Sequence, residues 1–70
     1  MRDNQFYKAL RSRLIAKRET GIATLHLYLT NPSAVAEHSA LVDEMESILH
    51  IITEADDAIE KLEKYFGQRQ

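Results

Sequence analysis

The 70-residue chain has no cysteine and no tryptophan, a single proline and two glycines. Without cysteine there is neither a disulfide framework nor a thiolate-bound zinc. Apolar runs are short, far below the roughly 20 residues a bilayer-spanning helix needs. The opening MRDNQFYKAL holds no apolar core of a secretory leader. These absences predict a cytoplasmic protein with no membrane partner. There is also no glycine-rich phosphate loop, no nucleophile elbow and no Ser-His-Asp spacing. A chain this small offers little room for a concave pocket, so the expectation is no enzyme and no cofactor. Gly21, Pro32 and Gly67 are the only strong punctuation, which leaves two long uninterrupted stretches in one domain, residues 1–70.

What is present is mostly helical pattern. From Ser39 to Phe66 the apolar residues Leu41, Met45, Ile48, Ile52, Ala55, Ile59, Leu62 and Phe66 alternate steps of four and three without a break. That spacing keeps one stripe on one face of a long amphipathic helix. Asn31 with Pro32 at the first position is one candidate start; Ser39, with Asp43 and Glu44 at the positive end of the dipole, is the preferred one. Phe66-Gly67 is its natural end, since glycine commonly follows a helix C-terminus, and Lys61 and Lys64 suit the last turns.

The first segment, about residues 4–29, carries a weaker stripe of Tyr7, Leu10, Leu14, Ile22, Leu25 and Leu29, flanked by Phe6 and Ile15. Arg18 interrupts it, and Gly21 follows, at a cost of roughly 1 kcal/mol relative to alanine. Leu25, Leu27 and Leu29 also alternate with polar neighbours, the two-residue period of a strand. Helix is the preferred reading, because no second strand candidate exists for pairing. Asn31-Pro32 ends the segment, since proline pushes the preceding residue out of helical geometry.

Two helices of about 26 residues, each roughly 40 Å long, joined by a short connection, predict an all-α fold: an antiparallel hairpin with helices at about 4–29 and 39–66. The charges agree. Residues 1–20 carry Arg2, Lys8, Arg11, Arg13, Lys17 and Arg18 against Asp3 and Glu19. From Glu37 to Glu63 the chain carries Glu37, Asp43, Glu44, Glu46, Glu54, Asp56, Asp57, Glu60 and Glu63 against Lys61. Antiparallel pairing sets Lys8 near Glu60 and Glu63, Arg13 near Asp56 and Asp57, and Arg18 near Glu54. It also brings Tyr65 and Phe66 to Phe6 and Tyr7 as an aromatic plug. The middle of the second helix is apolar beyond its seam: Val42, Ile48, Leu49, Ile51, Ile52 and Ala58 form a face too wide for one partner helix. This face predicts a homo-oligomer, a dimer first, with two hairpins closing a four-helix bundle.

His26, His38 and His50 are too far apart for the four-residue spacing of a helical metal site. Glu54, Asp56, Asp57 and Glu60 lack the loop glycine and alternating ligands of a calcium site, so no metal is expected. Lys8, Arg11, Arg13, Lys17 and Arg18 are the residues that would meet phosphates in a nucleic-acid-binding accessory protein. Their scatter around the helix and the acidic neighbour argue for intramolecular pairing instead.

The strings FYKALRSRLIAKRETGIATLHLYLTNPSAVAEH and SALVDEMESILHIITEADDAIEKLEKYF resemble a group of small helical proteins of tailed phages of marine bacteria, the cyanophages among them. ATLHLYLTNP, AVAEHS and the EKLEKYF ending carry the likeness most distinctly. Members often have glycine where this chain has Ala36. The resemblance implies phage origin and a helical hairpin, and it assigns no activity to particular residues. It adds a phage or host protein to the expected partners, and the virion to the host cytoplasm as a location. The expected function is protein–protein interaction.

Overall fold

The computed structural model describes residues 1–31 and 40–67. It shows two helices packed against each other, α1 from Gln5–Thr30 and α2 from Leu41–Phe66. Contacts run from Arg11 with Glu63 at one end to Tyr28 with Glu44 at the other, so the pair is an antiparallel hairpin. Its extents are 51 × 15 × 15 Å and its radius of gyration 15.4 Å, against about 11 Å for a globular chain of this length.

Local chemistry explains the helix ends. Asn4 is extended, and its Oδ1 accepts the N–H groups of Phe6 (2.8 Å) and Tyr7 (3.0 Å). Two first-turn donors that the helix cannot satisfy internally are thereby used. α1 then runs without a break through Gly21 and through Leu25, Leu27 and Leu29, so the strand alternative does not hold. Thr24 and Thr30 return their hydroxyls to the carbonyls four residues back, Thr20 and His26. Asn31 closes the helix through its N–H on the Leu27 carbonyl, at φ −146° and ψ 66°, outside the helical region that a following proline disfavours.

α2 begins after Ala40, with no side-chain cap, and carries Asp43 and Glu44 in its first turn and Lys64 in its last. The expected Ser39 cap lies outside the described residues. Gly67 donates its N–H to the Glu63 carbonyl at φ −90°, so no left-handed turn is involved. Space is what glycine provides there: a Cβ would sit 2.7 Å from the Tyr7 hydroxyl oxygen.

The seam of α2 is the one its spacing predicts. Ala55 and Ile59 are buried, and Leu41, Met45, Ile48, Ile52 and Leu62 are half-buried; only Phe66 opens to solvent. The seam of α1 differs from the expected stripe. It is Tyr7, Arg11, Leu14, Arg18, Gly21, Leu25 and Tyr28, a matching alternation of four and three in which every residue but Gly21 is half-buried. Leu10, Ile22 and Leu29 are therefore off the seam, at 47%, 46% and 64% exposure. Arginine at two seam positions is workable because its stem covers apolar surface while the guanidinium reaches outward. Gly21 is buried against α2: a Cβ there would lie 2.8 Å from Ile52 Cγ1.

The register is also shifted from expectation. Arg18 meets Asp56, not Glu54, and Arg11 instead of Lys8 meets Glu63. The expected aromatic plug at the open end does not form, since Phe6, Tyr65 and Phe66 are 85%, 63% and 50% exposed. Tyr7 alone reaches inward there, toward Gly67.

Candidate interaction surface

Every seventh residue of a helix in such a pairing lies on one flank of the seam. On α1 one flank is Lys8, Ile15, Ile22 and Leu29; on α2 one flank is Val42, Leu49, Asp56 and Glu63. Ion pairs place these two rows side by side. Arg11 Nε and Nη2 both lie 2.8 Å from Glu63 Oε2, and Arg18 Nη1 lies 3.2 Å from Asp56 Oδ1. Lys8, Arg11 and Glu63 also line a common groove at the open end. This flank is thus divided along its length. Its open-end half is charged and internally paired. Its other half, nearer the connection, is Ile22, Leu29, Val42 and Leu49, all apolar, with Val42 at 74% and Leu49 at 53% exposure, while Ile15 stands in the charged half at a height between Glu63 and Asp56.

The opposite flank is mixed. It carries Leu10, Lys17 and Thr24 from α1 and Glu44, Ile51, Ala58 and Tyr65 from α2. Lys17, Thr24 and Ile51 line one open trough of about 410 Å³ with Gly21 and Ile48 at its floor. Ile51 is half exposed, but polar groups stand on either side of it. At the connection end Tyr28 donates its hydroxyl to Glu44 (3.0 Å), which holds the phenol pKa above its ordinary value of 10.0.

The six residues expected to form one wide face are therefore divided three ways. Val42 and Leu49 lie on the apolar half-flank, and Ile51 and Ala58 on the mixed flank. Ile48 and Ile52 sit in the seam between them, half-buried against α1. Helical rotation separates them, because Leu49 and Ile51 are two residues apart and so about 200° apart. Sequence reasoning missed the α1 contribution, Ile15, Ile22 and Leu29. Their seven-residue spacing was the available signal.

The basic residues do not converge. Arg11 is held by Glu63, and Arg18 by Asp56 and Glu19. The hydrogen bond to Asp56, then that to Glu19, raises the pKa of Arg18. Among the described residues Lys8, Arg13 and Lys17 make no ion pair within 4.0 Å. Lys8 lies on the charged half-flank, while Arg13 and Lys17 border the trough on the other side.

The acidic cluster is largely occupied by the chain's own cations. Asp56 pairs with Arg18, and Lys61 with Asp57 (2.8 Å) and Glu60 (3.6 Å), the Asp57 hydrogen bond raising the Lys61 pKa. His50 stands 3.7 Å from Glu46, and His26 is exposed; His38 lies outside the described residues. Among the described residues no group of three or more metal-ligating side chains comes together, and no helix is long and apolar enough to cross a membrane. The chain matches no family model, no curated protein and no solved structure.

The accessible surface of the whole, elongated chain is larger than that of a compact protein of its mass. The chain exposes 5503 Å² for a mass of 8.1 kDa, where a monomeric globular protein of that mass exposes about 4,500 Å². The excess, about 1,000 Å², is close to the roughly 800 Å² that one partner buries in a standard interface.

Proposed function

We propose that this chain is a protein-interaction module whose first partner is itself, two hairpins closing a four-helix bundle. The observation that carries the reading is the divided flank. Four apolar side chains, Ile22, Leu29, Val42 and Leu49, with no polar residue among them stand beside a seam whose buried apolar core, among the described residues, is Ala55 and Ile59. A core that small seldom holds a chain of this length by itself. Covering the flank with another hairpin supplies the missing layer. Arg11 and Arg18, already engaged by acids, support interaction with protein over binding of nucleic acid.

The likeness of ATLHLYLTNP and EKLEKYF to phage sequences supports placing such a bundle among virion parts or host-directed phage proteins. Peptide detection in purified virions separates those two roles. Light scattering across a concentration series tests the association itself. The expected result is a mass approaching twice that of the chain, and a strict monomer at the highest concentration overturns the reading.

A further inference from the structure

Resting on that self-association, we infer that the two hairpins meet through the Ile15–Ile22–Leu29 and Val42–Leu49 flank about a two-fold axis running along the helices. Both connections then lie at one end, and each α1 faces the α2 of its partner. A face-to-face dimer has two limiting two-fold axes in its interface plane, one along the helices and one across them. They differ in what each half of the flank meets.

With the axis along the helices, heights are preserved. The apolar half covers the apolar half. At the open end Lys8 and Arg11 come level with the partner's Glu63, and Arg18 with the partner's Asp56. With the axis across the helices, Leu29 and Val42 fall on the charged end of the partner, around its Lys8 and Glu63. Sliding the hairpins to reunite the apolar halves would give up about half of the contact.

Charge makes the same choice independently. On this side of the hairpin α1 carries Lys8, Arg11 and Arg18, with Glu19 at its outer border, while Arg13 and Lys17 border the opposite trough. α2 carries Asp56 and Glu63 there. The crosswise axis sets α1 on α1 and α2 on α2, like charge against like. The lengthwise axis sets basic on acidic along both pairs, which is how charge patterns select one bundle topology over another. The area left exposed is enough for one such contact.

Two edge residues report the arrangement. Glu19 lies between Ile15 and Ile22 in sequence, on the outer border of that row, and Thr53 lies likewise between Leu49 and Asp56; both are exposed. Within one hairpin they stand on opposite outer edges. The lengthwise axis brings Glu19 of one chain beside Thr53 of the other at nearly the same height. The crosswise axis brings Thr53 beside Thr53 and Glu19 beside Glu19. The natural chain has no cysteine, so Glu19→Cys and Thr53→Cys proteins can be mixed, oxidised and weighed intact.

The expected product is the mixed disulfide, several-fold above either symmetric one. Dominant symmetric disulfides overturn the lengthwise axis. A dimer by light scattering that forms none of these disulfides overturns the choice of flank. A monomer by light scattering removes the self-association beneath both.

Discussion

α1 and α2 have the same length, 26 residues each, and opposite sequence logic. α2 gathers its apolar residues on one side and is strongly amphipathic. α1 has almost no net apolar side, because its leucines and isoleucines are spread around the helix and arginine or glycine stands on the seam. The difference teaches that a partner helix need not repeat the pattern it packs against. α2 specifies the seam, and α1 accommodates it with two snorkelling arginines and one glycine. The apolar residues α1 does not use in the seam are then free to build the flank.

Substitutions should separate the two roles. The largest loss is expected at Ile59, the larger of the two buried apolar side chains. Ile59→Ala should cost about 2–5 kcal/mol, enough to melt the hairpin, followed by circular dichroism on heating. Next comes Leu49→Glu, which should weaken association by roughly 30-fold or more, the effect of about 2 kcal/mol at an interface. Ile51→Glu, on the mixed flank, should leave the dissociation constant within a few-fold; sedimentation equilibrium compares the two. If Ile51→Glu is the more harmful, the flanks have been assigned the wrong way round.

Gly21→Val should then destabilise by about 1–3 kcal/mol, because its side chain would enter the space of Ile52. Combining it with Ile52→Ala should recover part of that loss if the 2.8 Å approach is the cause. Arg11→Ala should cost less, about 0.2–1 kcal/mol, since both members of its pair are more than two-fifths exposed.

The smallest effect is a pH dependence. The folded Tyr28 pKa is raised above 10.0, chiefly by its hydrogen bond to Glu44. Its contribution is therefore complete below pH 10 and lost as the pH rises through the folded value. Tyr28→Phe should flatten that alkaline slope in a urea titration, and an unchanged slope would remove Tyr28 as its source.

Much of the fold was legible because α2 is so regular. Seven of its eight stripe positions, Leu41 to Leu62, are buried or half-buried along the seam, and both helices end where asparagine-proline and phenylalanine-glycine predict. α1 was harder to read because hydrophobicity is a poor guide to a seam that uses arginine stems and the absence of a side chain. The alternation of four and three through Tyr7, Arg11, Leu14, Arg18, Gly21, Leu25 and Tyr28 was present in the sequence. Finding it required matching α1 to α2 by spacing instead of by residue type. The shift in register has a different source: equal helix lengths alone align the pair a few residues short of the register that Arg11–Glu63 and Arg18–Asp56 set. The flank itself was half visible, through Val42 and Leu49. Its α1 half was hidden because Ile22 and Leu29 had been assigned to the core.

The central claim is that a second hairpin covers this flank, and the most direct measurement is sedimentation equilibrium of the unmodified chain beside Leu49→Glu. The account predicts a monomer–dimer equilibrium for the unmodified chain, reaching twice 8.1 kDa, and a shift to monomer for the variant with its helix content retained. A single 8.1 kDa species at all concentrations, or a dimer indifferent to Leu49→Glu, would contradict it.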